Sequence, residues 1–417
     1  MHESSPDMAP ENQDVRMRGF SSRKTVEEAL QWVDRHCNPL SPETIPLEDA
    51  HGRVLATDIC SDMDVPQFDR SMMDGFAVRA EDTNGASTYN SIRLNIIDEA
   101  LPGKPASAIV QPGDAVRIMT GAPIPEGADA VIPVEHTTLS DNQILVHDTV
   151  PERKHIGEVG EDVASGTTVF HAGRELRPQD IGVLSSIGKA CVEVIRKPIV
   201  RLLITGSELV AAGQQPGNYQ IADANGPMLA ALITRDSGTP HHPGITQDSP
   251  DAIREQMQQP ADILLVSGGS SVGQEDHAPV ILAEQGELAI HGIAMRPSSP
   301  TGMGLLDEKI IFLLPGNPVS CFCAYDFFAG RAIRRLAGKD SAWPYQQASL
   351  PLARKLISKV GRTDYARVQV INGKVQPLAI SGASVLTSTT RADGFVVIPE
   401  DSEGYAEDTH VVVHYYG

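Results

Sequence analysis

A loop of glycines and serines between an apolar run and two carboxylates is the stretch of this sequence most suited to chemistry. It is ADILLVSGGSSVGQED, residues 261–276. Gly268 to Gly273 has the spacing of a phosphate-binding P-loop, but Gln274-Glu275 stands where that loop needs Lys-Ser or Lys-Thr. A Gly-Ser backbone suits an anion, and the carboxylates suit a cation. The stretch therefore predicts a ligand that brings phosphate and metal together.

Two further loops of this kind also follow apolar runs. IVRLLI precedes TGSE, residues 205–208, and IIFLL precedes PGNP, residues 315–318. One such loop would be read as an ordinary turn, and a final Asp as a helix N-cap. Three loops with two carboxylates and two prolines favour a site. Glu208 and Asp276 would repel an anion unless they held an ion such as Mg²⁺, which carboxylates and ligand phosphates bind together.

The elements around these loops predict where they lie. From Lys197 onward, apolar runs alternate with helical patterns, which indicates a parallel sheet covered by helices. Ligands bind beyond the carboxyl ends of the strands in such sheets, so the three loops are predicted to meet at one edge. Short β-rich runs fill about 59 to 194, and a small β domain including YARVQVING, SVLTST and GFVVIPE follows Trp343. Thr25 to Glu28 predicts a helix start with a capping box.

Composition excludes several classes of protein. A chain of 417 residues predicts roughly two to four domains. It has no apolar run long enough for a bilayer, and its polar N-terminus lacks the apolar region of a signal peptide. Five cysteines without a disulfide pattern fit a reducing compartment. A net charge of -20 argues against nucleic acid. We therefore expect a cytoplasmic protein that binds a small ligand and neither nucleic acid nor membrane.

The β-rich region carries its own unusual segments. These are FDRSMMDGFAVR, residues 68–79, RIMTGAP, residues 117–123, and GEDV, residues 160–163. Taken alone, each is typical of a hairpin or a tight turn. Their significance comes from their order along the chain.

Taken in order, the motifs resemble the molybdopterin molybdenumtransferase family, which comprises MoeA and the E domain of gephyrin. The matching segments are FDRSMMDGFAVRAEDT, VRIMTGAPIPEGADAVIPVE, GEDVASGTTVFHAGREL, LITGSELV, SGGSSVGQED and LPGNPVS. They extend from about Leu47 to Gly338 in consistent order.

The resemblance implies an α/β plus β multidomain fold, in which a MogA-like three-layer α/β domain with a largely parallel sheet is flanked by β-rich domains. The implied parts are a flexible N-terminal tail (1–22), a linker or dimer domain (23–56 and 158–196), a β-rich domain (57–157), the MogA-like domain (197–340) and a C-terminal β domain (341–417). It also implies a homodimer whose active site lies between subunits. The implied partners are a MogA-like protein and molybdoenzyme chaperones.

The implied activity is that of a molybdopterin molybdotransferase. Adenylylated molybdopterin and molybdate are the substrates, Mg²⁺ is the cofactor, and AMP is released. The implied catalytic carboxylates are Asp74, Asp162, Glu208, Asp248 and Asp276, with Glu208 and Asp276 as metal ligands. The implied substrate-binding residues are Thr120, Gly268, Gly269, Ser270, Ser271, Gly273, Arg296, Ser299, Pro315, Gly316, Asn317, Pro318 and Ser388.

One loop departs from the family pattern. The family carries K-P-G-K-P where this chain has Arg296-Pro-Ser-Ser-Pro300. Arg296 keeps the first positive charge, Ser298 replaces a glycine and Ser299 removes the second charge. A further family lysine falls on Gly292, and T-G-D-E-L has become TGSEL. Since each charge-assisted contact contributes about 1.5 to 3 kcal/mol, losing two cations would weaken anion binding roughly a hundredfold or more.

Three functions remain open from the sequence. The complete set of carboxylates favours an active molybdenum insertase. The missing lysines favour a catalytically impaired paralogue that acts as a molybdopterin-binding or scaffold protein. A MogA-like adenylyltransferase fits the surrounding β domains poorly. Molybdate and tungstate are both compatible with the residues.

Overall fold

The structure is a computed structural model that describes residues 23–269, 276–379 and 382–416. The predicted tail, 1–22, lies outside these residues. Contacts divide the chain into two compact units. Of the described residues, the first unit comprises those up to Glu43, Gly52–Val54 and those from Val194 onward, and the second comprises Thr44–His51 and Leu55–Glu193. Over the described ranges, no helix is both long and apolar enough to cross a membrane.

The helices are short, and most belong to the first unit. They are α1 (Val26–His36), α2 (Pro178–Ser186), α3 (Asn225–Arg235), α4 (Pro250–Gln258), α5 (His277–Gln285), α6 (Pro318–Ala324), α7 (Gly330–Leu336) and α8 (Thr387–Thr390). A wider π turn, Tyr325–Ala329, joins α6 to α7, and 3-10 turns cover Leu47–Asp49, Ala80–Thr83 and Val134–His136. The predicted capping box is confirmed: the Thr25 side chain accepts from the Glu28 N–H, and the Glu28 carboxylate accepts from the Thr25 N–H.

The strands fall into two groups along the chain. Those up to residue 195 are β1 (Pro42–Pro46), β2 (Ile59–Cys60), β3 (Arg70–Ser71), β4 (Gly75–Val78), β5 (Ile92–Ala100), β6 (Asp114–Ile118), β7 (Ala130–Pro133), β8 (Thr137–Ser140), β9 (Gln143–Val146), β10 (Ile156–Gly157), β11 (Thr168–Phe170) and β12 (Cys191–Ile195). Those after it are β13 (Ile199–Thr205), β14 (Leu209–Val210), β15 (Ile221–Ala222), β16 (Thr239–His241), β17 (Ile245–Thr246), β18 (Ile263–Ser267), β19 (Glu287–His291), β20 (Met295–Arg296), β21 (Gly302–Leu306), β22 (Lys309–Leu314), β23 (Gln346–Pro351), β24 (Leu356–Ile357), β25 (Thr363–Ile371), β26 (Lys374–Ala379), β27 (Gly394–Ile398), β28 (Gly404–Tyr405) and β29 (His410–Tyr415).

The first unit contains the predicted α/β layer structure. Its main sheet has the order β16-β13-β18-β22-β21-β19, and β17 also pairs with β13. Strands β13, β16, β17, β18 and β22 are parallel, whereas β21 runs antiparallel to both of its neighbours, β22 and β19. Leu202 belongs to the buried cluster with α1, α3, α6 and α7, and its neighbour Leu203 to the cluster with α4 and α5. Because successive strand residues face opposite sides of a sheet, helices cover both faces.

A second sheet of the same unit forms the C-terminal β region. Its order is β20-β25-β27-β29-β23, with β26 also paired to β25. The β prediction for SVLTST is wrong, because Thr387–Thr390 is the short helix α8. The Ser388, Thr389 and Thr390 hydroxyls each donate to the carbonyl three residues earlier, a local bonding that competes with strand pairing.

The second unit is mostly β, as its short apolar runs predicted. Its largest sheet has the order β7-β4-β6-β5-β9-β8, and α2 is its one α-helix of more than one turn among the described residues. Leu94, Ile132 and Ile144 are buried in its core. The predicted boundaries of the individual domains within the two units stay predictions.

Replacing Lys309 with methionine is expected to lower the free energy of unfolding by about 2 kcal/mol, since partly buried acceptors lose their donor. Lys309 is 9% exposed, and its Nζ donates to Met257 O at 2.6 Å and to Gln259 O at 2.7 Å, at the end of α4. Urea unfolding measures the loss. The matched control is Lys374→Met, whose exposed ion pair with Asp408 contributes less than about 1 kcal/mol. Equal losses in the two variants would contradict the assignment.

Candidate active site

Three predicted loops meet at the carboxyl edge of the parallel sheet. Ile204 pairs in register with Ser267, and Ser267 pairs with Leu314, so β13, β18 and β22 end side by side. Thr205 pairs with Thr246 of β17, which brings the segment containing Asp248 to the same edge. The strand registers therefore collect four segments that are distant in sequence.

Close backbone packing explains why glycine occupies these loops. Gly268 has φ +95°, and a Cβ there would lie 2.0 Å from Thr205 O. A Cβ on Gly316 would lie 3.7 Å from Gly268 Cα. Glycine at 268 thus permits a left-handed conformation and the contact between the loops after β13 and β18.

The loops surround a cleft of about 590 Å³. It is lined by Thr205, Gly206, Glu208, Leu209, Ile221, Ala222, Asp223, Ala224, Asn225, Asp248, Ser267, Gly268, Gly269, Asp276, Pro300, Pro315, Gly316, Asn317, Pro318 and Ser384. Nine of the predicted site residues are in this set: Glu208, Asp248, Gly268, Gly269, Asp276, Pro315, Gly316, Asn317 and Pro318. Ser270, Ser271 and Gly273 lie outside the described residues.

The three predicted carboxylates of the cleft have different surroundings. Asp248 accepts a hydrogen bond from Thr205 Oγ1 at 3.1 Å. Glu208 folds back over Gly206, where a Cβ would lie 2.8 Å from its Oε2. Asp276 occupies the N-cap position of α5, but its side chain makes no capping hydrogen bond. The Asp276 carboxylate is therefore not used as a helix cap.

Sequence reasoning missed two polar residues of the cleft. Asn225 is 8% exposed, and its Nδ2 donates to Ser267 Oγ at 2.9 Å and to Gly316 O at 2.7 Å, which ties two strand-end loops together. Asp223 is 6% exposed and accepts from the Gly226 N–H at 2.9 Å. The signal was present in IADANGP, because an Asp and an Asn precede a helical pattern there. Such residues are usually assigned to capping.

Arg296 is engaged away from the lining of the cleft. It lies in β20, where it is the register partner of Asp364 in β25, and its Nη2 donates to the fully buried Asp364 carboxylate. Ser358 Oγ donates to the same carboxylate at 2.8 Å, and Arg362 Nε lies 3.1 Å from it. The positive charge that the sequence retains in this loop is thus compensated within the C-terminal sheet.

The remaining residues of the lysine-poor loop, 298–300, have different surroundings. Ser298 has φ +85°, which fits a position where the family carries glycine. Its hydroxyl donates to Ser320 O. Among the described residues, the buried Ser299 hydroxyl has no hydrogen-bond partner, whereas Pro300 lines the cleft. Ser388 donates to Val385 O, and Ser384 is the residue of that segment that lines the cleft.

The other predicted residues belong to the second unit. Asp74 immediately precedes β4, and Thr120 follows β6, to which β4 is paired. The Thr120 N–H and hydroxyl both donate to Asp74 Oδ1, at 2.7 and 2.8 Å. These bonds, the backbone one first, lower the pKa of Asp74 and keep it ionised. Asp162 is exposed, and its N–H donates to Val65 O at 3.0 Å.

The charge of the cleft favours a cation. Four carboxylates line it, namely Glu208, Asp223, Asp248 and Asp276, whereas the described lining contains no lysine, arginine or histidine. No group of three metal-binding side chains is found in the described part of the chain. The carboxylates of the lining fit Mg²⁺, which takes one or two carboxylates and completes its shell with water and phosphate. Glu208 and Asp276 both fit that role because they line the same cleft.

Thiol chemistry is not available beside the cleft. Cys321 is fully buried and lies 3.8 Å from Ser267 Oγ. Burial raises the pKa of its thiol to about 12, so the sulfur stays protonated and unreactive near neutral pH. Cys323 is buried as well, so both thiols belong to the core.

Three family models match successive parts of the chain. They are the MoeA N-terminal region (domain I and II) over residues 24–188, the probable molybdopterin binding domain over 201–335 and the MoeA C-terminal region (domain IV) over 349–415. The molybdopterin molybdenumtransferase of Staphylococcus aureus (strain MSSA476) is 31% identical, covering 91% of this chain and 92% of its own length. Molybdopterin molybdenumtransferase 2 of Mycobacterium tuberculosis (strain H37Rv) is 34% identical, covering 94% and 99%. The crystal structure of the molybdopterin biosynthesis MoeA protein from Pyrococcus horikoshii superposes with a TM-score of 0.80 at 31% identity, covering 95% of this chain and 100% of that chain.

Proposed function

Because the chain belongs to the MoeA family of molybdopterin molybdenumtransferases and is a transferase of molybdenum cofactor biosynthesis, we propose that it inserts molybdate into adenylylated molybdopterin with release of AMP. The observation that supports this reaction most strongly is the cleft at the sheet edge, where glycine loops and carboxylates meet. A ligand with a phosphoanhydride needs both a close backbone and a cation to balance its charge.

The loops of the cleft would have different roles in substrate binding. The backbone at Gly268 and Gly269 would approach the phosphates closely, because these residues have no side chains. Pro315 and Pro318 hold the loop before α6 in a fixed conformation, and Asn225 ties that loop to Ser267. The substrate is thereby oriented before reaction, and such positioning accounts for much of the catalysis of phosphoryl transfer.

Mg²⁺ is proposed as the cofactor, with Glu208 and Asp276 as its protein ligands. When bound, it would neutralise charge on the phosphoanhydride oxygens. Asp248 is proposed as a further catalytic carboxylate of the same cleft, and the Thr205 hydroxyl orients it. Molybdate enters as the second substrate.

A homodimer is proposed in which each active site uses two subunits. The α/β cleft of one subunit would be completed by Asp74, Thr120 and Asp162 of the partner subunit. The hydrogen bonds that hold Asp74 to Thr120 support a joint role, because they fix an ionised carboxylate on the protein surface. We also propose that the protein is cytoplasmic, that it receives adenylylated molybdopterin from a MogA-like protein, and that it passes its product to molybdoenzyme chaperones.

Release of AMP tests this function. The purified protein is incubated with adenylylated molybdopterin and Mg²⁺, with and without molybdate, and AMP is measured over time. Molybdate-dependent AMP release is the expected result. Tight binding of adenylylated molybdopterin without AMP release would contradict an insertase.

The same test addresses the catalytically impaired paralogue as a second candidate. That candidate is favoured by the compensated charge of Arg296 and by the absence of lysine and arginine from the described lining of the cleft. A binding or scaffold protein would retain adenylylated molybdopterin unchanged in the presence of molybdate. The two candidates therefore predict opposite results in one assay.

A further inference from the structure

A separate cavity lies within the second unit, beside the predicted residue Asp74. Its volume is about 320 Å³, and it is lined by Asp74, Gly75, Phe76, Arg117, Ile118, Met119, Val134, Thr137 and Leu139. Among these residues, Asp74 and Arg117 carry the charged side chains, and most of the others are apolar. Apolar walls with a few fixed polar groups are typical of a site for a small molecule.

The Asp74 carboxylate keeps one oxygen available for a ligand. Both hydrogen bonds from Thr120 reach Asp74 Oδ1, at 2.7 and 2.8 Å, and no described residue donates to Oδ2. The same bonds lower the pKa of Asp74, so its second oxygen is charged and accepts hydrogen bonds near neutral pH. Asp74 therefore offers the cavity an acceptor in a fixed orientation.

Arg117 offers donors to the same cavity. It lies in β6, where its register partners are Phe76 in β4 and Glu99 in β5. The Arg117 side chain is half-buried, and over the described ranges its guanidinium forms neither an ion pair nor a hydrogen bond, even with Glu99. A guanidinium carries several N–H donors and no acceptor. These donors are therefore free to bind an acceptor of a ligand.

Two exposed apolar side chains complete the lining. Val134 is 50% exposed and Leu139 is 55% exposed, whereas Phe76 beside them is 4% exposed. Apolar surface left exposed around fixed polar groups marks a binding surface. The cavity thus fits a ligand with apolar ring faces, a donor for Asp74 and an acceptor for Arg117.

We propose that this cavity binds the pterin ring of the substrate, with Asp74 Oδ2 accepting from the amino group of the pyrimidine ring and Arg117 donating to its carbonyl oxygen. The inference rests on the proposed function, because it takes the ligand to be a molybdopterin and the homodimer to bring Asp74 to the partner's α/β cleft. Val134 and Leu139 would cover the faces of the ring. Asp74 and Arg117 are then specificity-determining residues for the pterin.

Pterin and lumazine are matched probes of this site, because lumazine has an oxygen where pterin has that amino group. Binding to the full-length protein is measured by titration of the intrinsic fluorescence of each compound. The wild-type protein is expected to bind pterin about tenfold more tightly than lumazine, the effect of one charge-assisted hydrogen bond.

Three variants separate the two polar contacts. Asp74→Asn should lose the preference for pterin, because Thr120 would retain the amide oxygen and leave the amide NH₂ facing the amino group. Arg117→Met should bind pterin and lumazine about tenfold more weakly alike, since both compounds have the carbonyl oxygen. The matched control is Arg93→Met, which removes an exposed arginine of β5 in the same sheet and should bind as the wild type does.

Equal wild-type affinity for pterin and lumazine would overturn the pterin site. An Arg117→Met protein with wild-type affinity for pterin but an altered oligomeric state, measured by light scattering, would show instead that the cavity is a contact between copies. Molybdate-dependent AMP release without a pterin preference would overturn this inference and leave the proposed function standing. A pterin preference that depends on Asp74, without AMP release, would support the site and contradict the proposed reaction.

Discussion

Replacing Asp276 with asparagine is expected to lower the rate of Mg²⁺-dependent AMP release roughly 100-fold or more, because a bound metal contributes several kcal/mol of charge stabilisation. Asp276 lines the cleft and sits at the N-cap of α5 without a capping hydrogen bond. Asparagine is as good an N-cap residue as aspartate, so the helix should remain intact. The rate of AMP release is measured as a function of Mg²⁺ concentration.

The matched control for this variant is Asp251→Asn. Asp251 lies in the first turn of α4, with a side chain that is 96% exposed, and it pairs with Arg254 outside the cleft. Its replacement should change neither the rate nor the Mg²⁺ dependence. Both variants should unfold at the wild-type urea concentration. Wild-type turnover in Asp276→Asn would refute the assignment of this carboxylate as a metal ligand.

Replacing Asp236 with alanine is expected to lower the free energy of unfolding by about 3 to 5 kcal/mol, because a buried arginine loses its counter-charge. Asp236 is 1% exposed and accepts from Arg334 Nη1 at 2.8 Å, while Arg334 is 3% exposed. Tyr325 Oη also donates to Asp236, at 2.9 Å. Burial raises the pKa of Tyr325 well above its usual range, so its hydroxyl remains a donor. Urea unfolding measures the loss.

The effect of this change on the cleft should be small. Asp236 follows the last residue of α3, whereas Asn225 begins that helix about 15 Å away, at 1.5 Å per residue. The rate of Mg²⁺-dependent AMP release below the unfolding transition should stay at the wild-type value. The control is Asp62→Ala, which removes a pair with Lys189 at an aspartate that is 81% exposed and should cost less than about 1 kcal/mol. If Asp236→Ala lost as little free energy of unfolding as Asp62→Ala, the assignment of a stabilising buried ion pair would be contradicted.

The sequence predicts the position of the cleft because the strands of the parallel sheet are buried on both faces. Runs such as IVRLLIT and KIIFLLP are too continuously apolar for a sheet with a solvated face, so they indicate a covered parallel sheet. Once the strands are parallel, their carboxyl ends meet, and the loops after β13, β18 and β22 come together. The capping box at Thr25 was equally readable, because capping depends only on neighbouring residues.

Contacts between distant segments could not be predicted in the same way. Arg296 pairs with Asp364, 68 residues later, and no local pattern shows that β20 joins the C-terminal sheet. Asp223, just before α3, and His242, just after β16, come together only at the space that Gly226 leaves by having no side chain. SVLTST has the β-branched residues of a strand. The hydroxyls of this segment instead donate to nearby backbone carbonyls, and the segment forms the short helix α8. These features depend on tertiary neighbours rather than on periodicity.

The stoichiometry of one turnover tests the central claim most directly. Enzyme saturated with adenylylated molybdopterin and Mg²⁺ is mixed with molybdate, and both the AMP released and the molybdenum bound to the dithiolene are measured. One AMP for each molybdenum inserted, with neither formed by Asp276→Asn, is the predicted result. AMP release that is independent of molybdate, or retention of the intact nucleotide after molybdate is added, would contradict the assignment of this cleft as a molybdenum-insertion site.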